Sequence, residues 1–186
     1  MLYINDSLFE FDLDKAIDSL PAFRREQALR FTFELGRRTC AAVYLLLCQG
    51  LQNEYGITDL PVFGYGEHGK PYILDHEDIH FNLSHCREAA ACYISSKPVG
   101  IDIETIHPLK KSLMEYTMNH DEQQHILASY DPGRAFTRLW TRKEAVLKLI
   151  GTGINNNLKE VLLQHDVSLQ TVETPNYIYS FCQFSL

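Results

Sequence analysis

Residues 99–106 read VGIDIETI. Side chains of a β-strand alternate between its two faces, so Ile101, Ile103 and Thr105 share one face while Asp102 and Glu104 share the other. Two carboxylates side by side on one face repel each other unless a cation or hydrogen-bond donors lie between them. Oxygen ligands held at that spacing suit a hard divalent cation. The competing reading is an exposed strand face carrying two solvated acids.

The stretch PGRAFTRLWTRKEAVLKLIG (132–151) weighs against that plainer reading. Pro in a first turn and Gly just past the last one frame a helix. At 100° per residue, Phe136, Leu139, Trp140, Val146, Leu147 and Ile150 gather on one arc, the core face. Arg134, Arg138 and Arg142 form an i, i+4, i+8 stripe expected to face solvent. Glu144 and Lys148 stand one turn apart at the border of the apolar arc, in line with Trp140. On a solvated surface such a pair contributes only a few tenths of a kcal/mol, roughly 0.2–0.5. At a core border both charges are partly desolvated and act strongly on a partner.

Outward from these two segments, the chain begins with a short strand at Leu2–Ile4 and helical pattern over Asp14–Arg30, punctuated by Pro21. A helix over Glu34–Glu54 has Cys40, Val43, Tyr44, Leu47, Cys48 and Leu51 at 3.6-residue spacing. The turn-rich PVFGYGEHGKPYI (61–73) follows, then extended segments at Ile79–Leu83 and Ala89–Ile94. Beyond the strand at 99–106, short helices are expected at Leu109–Met118 and Asp121–Ser129. Strand-like segments at Glu160–Gln164, Val167–Leu169 and Tyr177–Phe184 close the chain. The order helix-then-strands occurs twice, with the boundary near Lys97–Pro98, which divides the chain into 1–97 and 98–186.

The 186 residues carry 17 Lys+Arg against 24 Asp+Glu, a net charge of -7. Binding to duplex nucleic acid over a broad face requires phosphate neutralisation, which so acidic a chain does not supply. Five cysteines without a CxxC pair speak against a disulfide framework or structural zinc. They read as reduced thiols of a cytoplasmic protein. The N-terminus lacks a basic segment followed by an apolar run. The apolar stretch Cys40–Leu51 is far shorter than the roughly 20 residues of a membrane span.

GYGEHGK (64–70) contains both GxGxxG and GxxxxGK. The next residue is Pro71, where a phosphate-binding loop needs Ser or Thr, and no helix follows. What remains is a tight turn that presents Lys70. His85 and Cys86 are neighbours on a strand, so their side chains diverge and cannot readily form a thiolate–imidazole pair. Arg24, Arg25, Arg30, Arg37 and Arg38 lie within fifteen residues. They form either a solvated helical face or an anion site.

FNLSH (81–85), GIDIE (100–104) and WTRKEAVLK (140–148), with GKP (69–71) upstream, stand in an order and spacing that resemble the Sfp-type 4′-phosphopantetheinyl transferases. The resemblance runs from about Arg24 to Gly153. It implies an α+β pseudo-dimer of two similar halves with coenzyme A in the cleft between them. It also implies transfer of 4′-phosphopantetheine from coenzyme A to a serine of an apo acyl or peptidyl carrier protein, releasing adenosine 3′,5′-bisphosphate. Carried over position by position, Asp102, Glu104 and Glu144 become Mg²⁺ ligands. Lys148 becomes the cation on the diphosphate, and Glu144, directly or through a water, the base. Ser84, His85 and Lys70 become coenzyme A contacts, as do Arg24, Arg38 and Thr39 near the N-terminus; Asp102 also borders that ligand. Cys86 stands where many relatives have Ser, and Ile103 where some place a third acid. A two-half chain builds its cleft as a monomer, without nucleic acid or membrane. The alternative within the same fold is a module that binds coenzyme A or a carrier without catalysing transfer. The resemblance also implies a local basic surface for an acidic carrier, which the stripe Arg134/Arg138/Arg142 could supply.

Overall fold

The computed structural model describes residues 1–153 and 158–185. Strand β1 (Leu2–Asn5) leads to α1 (Leu13–Ser19), α2 (Ala22–Leu29) and α3 (Glu34–Tyr55). Asp12 caps α1 by accepting the Lys15 N–H at 3.2 Å. Pro21 separates α1 from α2, and Gly56 closes α3 in the left-handed region (φ 70°) that a Cβ disfavours. Next come β2 (Phe63–Tyr65), β3 (Pro71–Ile73), β4 (His80–His85), β5 (Ala90–Ser95) and β6 (Val99–Thr105). The second half continues with α4 (Lys111–Thr117), α5 (His120–Ala128), α6 (Pro132–Ile150), α7 (Val161–Gln164), β7 (Val167–Glu173) and β8 (Tyr177–Phe184). Asp131 caps α6, Pro132 sits in its first turn and Gly151 ends it (φ 81°), as the sequence pattern predicts.

This is a mixed α+β fold with small antiparallel sheets. One sheet has the order β1-β5-β4 and another the order β6-β8-β7. In each, the last strand in the chain lies in the middle, and helices follow the first strand. The apolar stripe of α3 (Val43, Leu47, Leu51) packs on Phe81, Cys92 and Ile94 of the first sheet. In the second half α6 packs on β6 and β8.

The two sheets meet through β6. Ile101 and Ile103 are fully buried against Ala89, Ala91 and Tyr93 of the first half and Tyr177 of the second. Burial of each isoleucine contributes roughly 1.5–3 kcal/mol. The opposite face of β6 carries Gly100, Asp102 and Glu104 and turns to α6. A Cβ on Gly100 would lie 2.0 Å from the Ala145 carbonyl oxygen, so only glycine lets strand and helix approach this closely. The reading of two solvated acids on an exposed face is therefore wrong for Asp102, which is buried.

Two sequence expectations are corrected here. Residues 160–164 are not a strand: Val161–Gln164 form one helical turn, since an apolar run as short as Val161–Leu163 has no period that separates the two states. The turn-rich 61–73 stretch contains the small β2–β3 sheet, with GEHGK (66–70) as its connection. There the Gly66 N–H donates to the Lys70 carbonyl at 3.0 Å.

Candidate active site

Where β6 passes between β4 and α6, polar groups of three elements converge. The Lys148 ammonium on α6 donates to Asp102 Oδ1 at 2.6 Å and to Ser84 Oγ at 3.0 Å. The Ser84 hydroxyl donates to Asp102 Oδ1 at 3.0 Å, and its oxygen accepts the Ile103 N–H at 3.3 Å. Two positions earlier on the same face of β4, Asn82 Oδ1 accepts the Ile101 N–H at 3.0 Å. β6 pairs with β8 along one edge. Along its other edge, side chains of β4 supply acceptors for N–H groups that would otherwise be orphaned in the interior. One turn before Glu144, the Trp140 indole N–H donates to Glu104 Oε1 at 3.3 Å.

The electrostatics tie the three acids together. Burial, then the Asp102 charge, push the Glu104 carboxyl up to about 7, against the pull of Trp140 and Lys148. Glu144 is likewise raised, first by burial and then by Asp102, with Lys148 opposing. Asp102 Oδ2 and Glu144 Oε1 are buried and have no hydrogen-bond partner among the described residues. Hard oxygen donors that are buried, unpaired and mutually repelling fit a divalent cation, which would relieve all three conditions. Among the described residues, however, no three such side chains are already drawn close enough to enclose an ion. Lys148 currently serves as the counter-charge on Asp102.

A cleft of about 280 Å³ opens beside these groups, lined by Lys70, Asn82, Glu144, Lys148, Gly151 and Gly153 among others. A cavity of about 500 Å³ lies on the other side of Glu104, with an apolar wall that includes Leu109, Leu113, Phe136 and Trp140. A further cavity, about 570 Å³ between Asp6 and Tyr177, holds none of the three acids. Volume alone does not locate chemistry, and the smaller cleft carries the convergent charges.

The other sequence-predicted positions divide into those near Lys148 and those apart from it. Lys70 lines the cleft, and its ammonium donates to the carbonyls of Leu149 (3.0 Å) and Val99 (3.3 Å), capping the end of α6; burial lowers its pKa. His85 keeps an exposed edge, yet loss of hydration, then Lys148 and Arg24, depress its pKa. Arg24 is buried, donates to the Cys40 carbonyl at 2.8 Å, and leaves its Nε unpartnered among the described residues. Thr39 is buried one position earlier on α3, its hydroxyl on the Gly36 carbonyl at 3.1 Å. Arg38 lies apart: it binds the carbonyls of Leu8 (3.1 Å) and Phe11 (2.9 Å), pairs with Glu34 and stacks over Phe9 and Phe11. In this arrangement it holds the N-terminal loop to α3.

The arginine stripe of α6 does not face open solvent. Arg134 donates to the carbonyls of Thr174 and Pro175, Arg138 pairs with Glu173, and Arg142 donates to Thr171, so the stripe fastens α6 to the β7–β8 hairpin.

Sequence reasoning missed three residues. Asn82 was legible in principle, because the alternation in FNLSH puts Asn82 and Ser84 on one face. Gly100 has no signal beyond being a glycine within a strand. Lys143 is fully buried: its ammonium pairs with Glu122 at 2.7 Å and donates to the carbonyls of Thr117, Leu158 and Lys159. It joins the α4–α5 junction and the chain at 158–159 to the residue just before Glu144.

A model of the 4′-phosphopantetheinyl transferase superfamily matches residues 98–183. A 4′-phosphopantetheinyl transferase of Bacillus subtilis is 29% identical over 157 residues, 83% of this chain and 70% of the relative. The 4′-phosphopantetheinyl transferase Sfp of Bacillus subtilis (strain 168) is 26% identical over 189 residues, 97% of this chain and 84% of the relative. The 4′-phosphopantetheinyl transferase psf-1 of Bacillus pumilus is 32% identical over 151 residues, 77% of this chain and 65% of the relative.

Proposed function

The chain belongs to the 4′-phosphopantetheinyl transferase superfamily, and from that premise we propose that it transfers 4′-phosphopantetheine from coenzyme A to a serine of an apo acyl or peptidyl carrier protein. The serine oxygen forms a bond to the phosphorus bearing the pantetheine arm. The bond from that phosphorus to the bridging oxygen breaks, and adenosine 3′,5′-bisphosphate leaves. The observation that carries this reading is the Lys148 ammonium 2.6 Å from Asp102, in a cleft that also exposes the raised Glu144 carboxylate.

Each residue has a task that its surroundings support. Glu144, directly or through a water, takes the serine proton, one of its carboxylate oxygens being buried and unpaired among the described residues. Lys148, anchored between two halves of the fold, places positive charge where negative charge grows on the leaving group. Asp102, Glu104 and Glu144 would hold Mg²⁺, which supplies Lewis-acid neutralisation of the diphosphate. Cationic Lys70 and Arg24, with His85 as a neutral imidazole and the Thr39 hydroxyl of α3, suit the phosphorylated adenosine end. The apolar cavity at Trp140 and Leu113 suits the uncharged pantetheine arm. The matching strand orders β1-β5-β4 and β6-β8-β7 support two similar halves, 1–97 and 98–186, with the ligand cleft at their junction in a monomer. Among the described residues no helix is long and apolar enough to cross a membrane, and all five cysteines are free. A cytoplasmic enzyme accords with both.

The test is intact-mass measurement of a panel of apo carrier proteins after incubation with the protein, coenzyme A and Mg²⁺. The reading expects one phosphopantetheine per carrier, abolished by chelation of the metal. Unchanged masses across the panel, with a known transferase active in parallel, would overturn it.

A further inference from the structure

Asn82 is 7% exposed, and its carboxamide has two polar ends with different fates. The Ile101 N–H reaches it at 3.0 Å, and an N–H can only meet an acceptor, so the carboxamide oxygen must lie at that end. This fixes the orientation of the amide. The NH₂ group is then left free of that contact, in a residue that lines the 280 Å³ cleft together with Lys70, Glu144 and Lys148. Neither Nδ2 hydrogen has an acceptor among the described residues. Unlike the buried, unpartnered Asp102 Oδ2 and Glu144 Oε1, this NH₂ group keeps access to the cleft, where water or a ligand oxygen completes it. Beside two lysine ammonium groups, the complementary atom is an anionic oxygen.

We infer that Asn82 is a substrate-binding residue: its carbonyl oxygen is locked by the Ile101 N–H so that its NH₂ donates to a phosphate oxygen of the ligand held between Lys70 and Lys148. The inference rests on the coenzyme A reading above and adds a neutral, geometrically fixed donor to the two lysine cations. The same carboxamide thereby couples ligand contact to the position of β6. The β6 N–H that orients Asn82 belongs to the residue before Asp102.

Two-dimensional ¹H–¹⁵N spectra of the full chain test this directly, with the Asn82 Nδ2 pair identified by its loss in Asn82→Asp. On saturation with coenzyme A, one proton of the pair should move downfield and its exchange slow. By calorimetry, Asn82→Asp should bind coenzyme A at least about tenfold more weakly while the Ile101 amide keeps its protection, since the carboxylate still accepts that N–H. Because the added charge itself repels an anion, Asn82→Leu provides a neutral comparison. It should also bind roughly tenfold or more weakly, now with faster exchange at Ile101. An Nδ2 pair unmoved while the amides of Lys70 and Ser84 shift would overturn the inference and leave the coenzyme A site standing. So would wild-type affinity in both variants. Absence of any coenzyme A binding by the unaltered chain would sink the site and the inference together.

Discussion

Lys148 Nζ stands 2.6 Å from Asp102 Oδ1, a contact between the middle of β6 and the last turn of α6 that draws in Ser84 of the first half at 3.0 Å. One ammonium thus links the two halves and neutralises an aspartate that is almost wholly buried. Replacing Lys148 by Met would leave Asp102 with only the Ser84 hydroxyl. Such an unpaired buried carboxylate costs several kcal/mol, but the lysine end is partly solvated, so a loss of about 1–3 kcal/mol is expected. Phosphopantetheine transfer should fall by roughly a hundredfold or more. Denaturant titration and carrier-mass kinetics measure the two effects separately, and a variant with wild-type kinetics would remove Lys148 from the chemistry.

Glu104 makes the metal-free protein sensitive to pH. Its folded-state carboxyl is raised to about 7 from an ordinary 4.5, so the folded chain holds its proton more tightly than the unfolded chain does. Its contribution is fully present below the unfolded value and is lost as pH rises through the folded one. Between about pH 4.5 and 7, wild type should therefore lose stability relative to Glu104→Gln, by an amount of order 1–3 kcal/mol. The amide keeps an acceptor for the Trp140 N–H. Saturating Mg²⁺ should flatten the difference. Parallel curves for the two proteins without metal would contradict the assignment.

Lys143 sits beneath the site rather than in it. Lys143→Met would strand the Glu122 carboxylate, and a loss of about 3–5 kcal/mol is expected. The double variant Lys143→Met/Glu122→Gln should recover part of that loss, because the orphaned charge is gone. Equal stability of the single and double variants would show that the pair is not coupled.

Gly100 sets the separation of β6 from α6. In Gly100→Ala the new methyl would meet the Ala145 carbonyl at 2.0 Å and the Leu149 nitrogen at 2.6 Å, both backbone atoms. The helix must move outward, costing about 1–3 kcal/mol or more. Glu144 and Lys148 move with it, so kcat should fall about a hundredfold even in molecules that remain folded, since an ångström of misplacement carries that penalty. Full activity in soluble Gly100→Ala would show that the site tolerates that movement.

Much of this site was legible before any coordinates. The alternation in VGIDIETI put Asp102 and Glu104 on one face, and α6 announced itself through Pro132, Gly151 and an apolar arc bordered by Glu144 and Lys148. What escaped was whatever depends on a neighbour far away in the chain. Arginines 134, 138 and 142 look like a solvated stripe until the β7–β8 hairpin is folded against them. Lys143 follows Arg142 and reads as another surface charge, yet partners from residues 117 to 159 enclose it. Asn82 orients by an N–H of another sheet, and no periodicity reports that. For Arg38 the motif resemblance says ligand, whereas the local geometry says loop anchor.

The measurement that bears most directly on the central claim is a crystal structure with coenzyme A and Mn²⁺, the ion located by its anomalous scattering. The account predicts one ion in contact with carboxylate oxygens of Asp102, Glu104 and Glu144 and with the diphosphate, and Lys148 Nζ on a phosphate oxygen. An ion bound elsewhere, or a diphosphate that touches neither Lys148 nor any of the three acids, would contradict it.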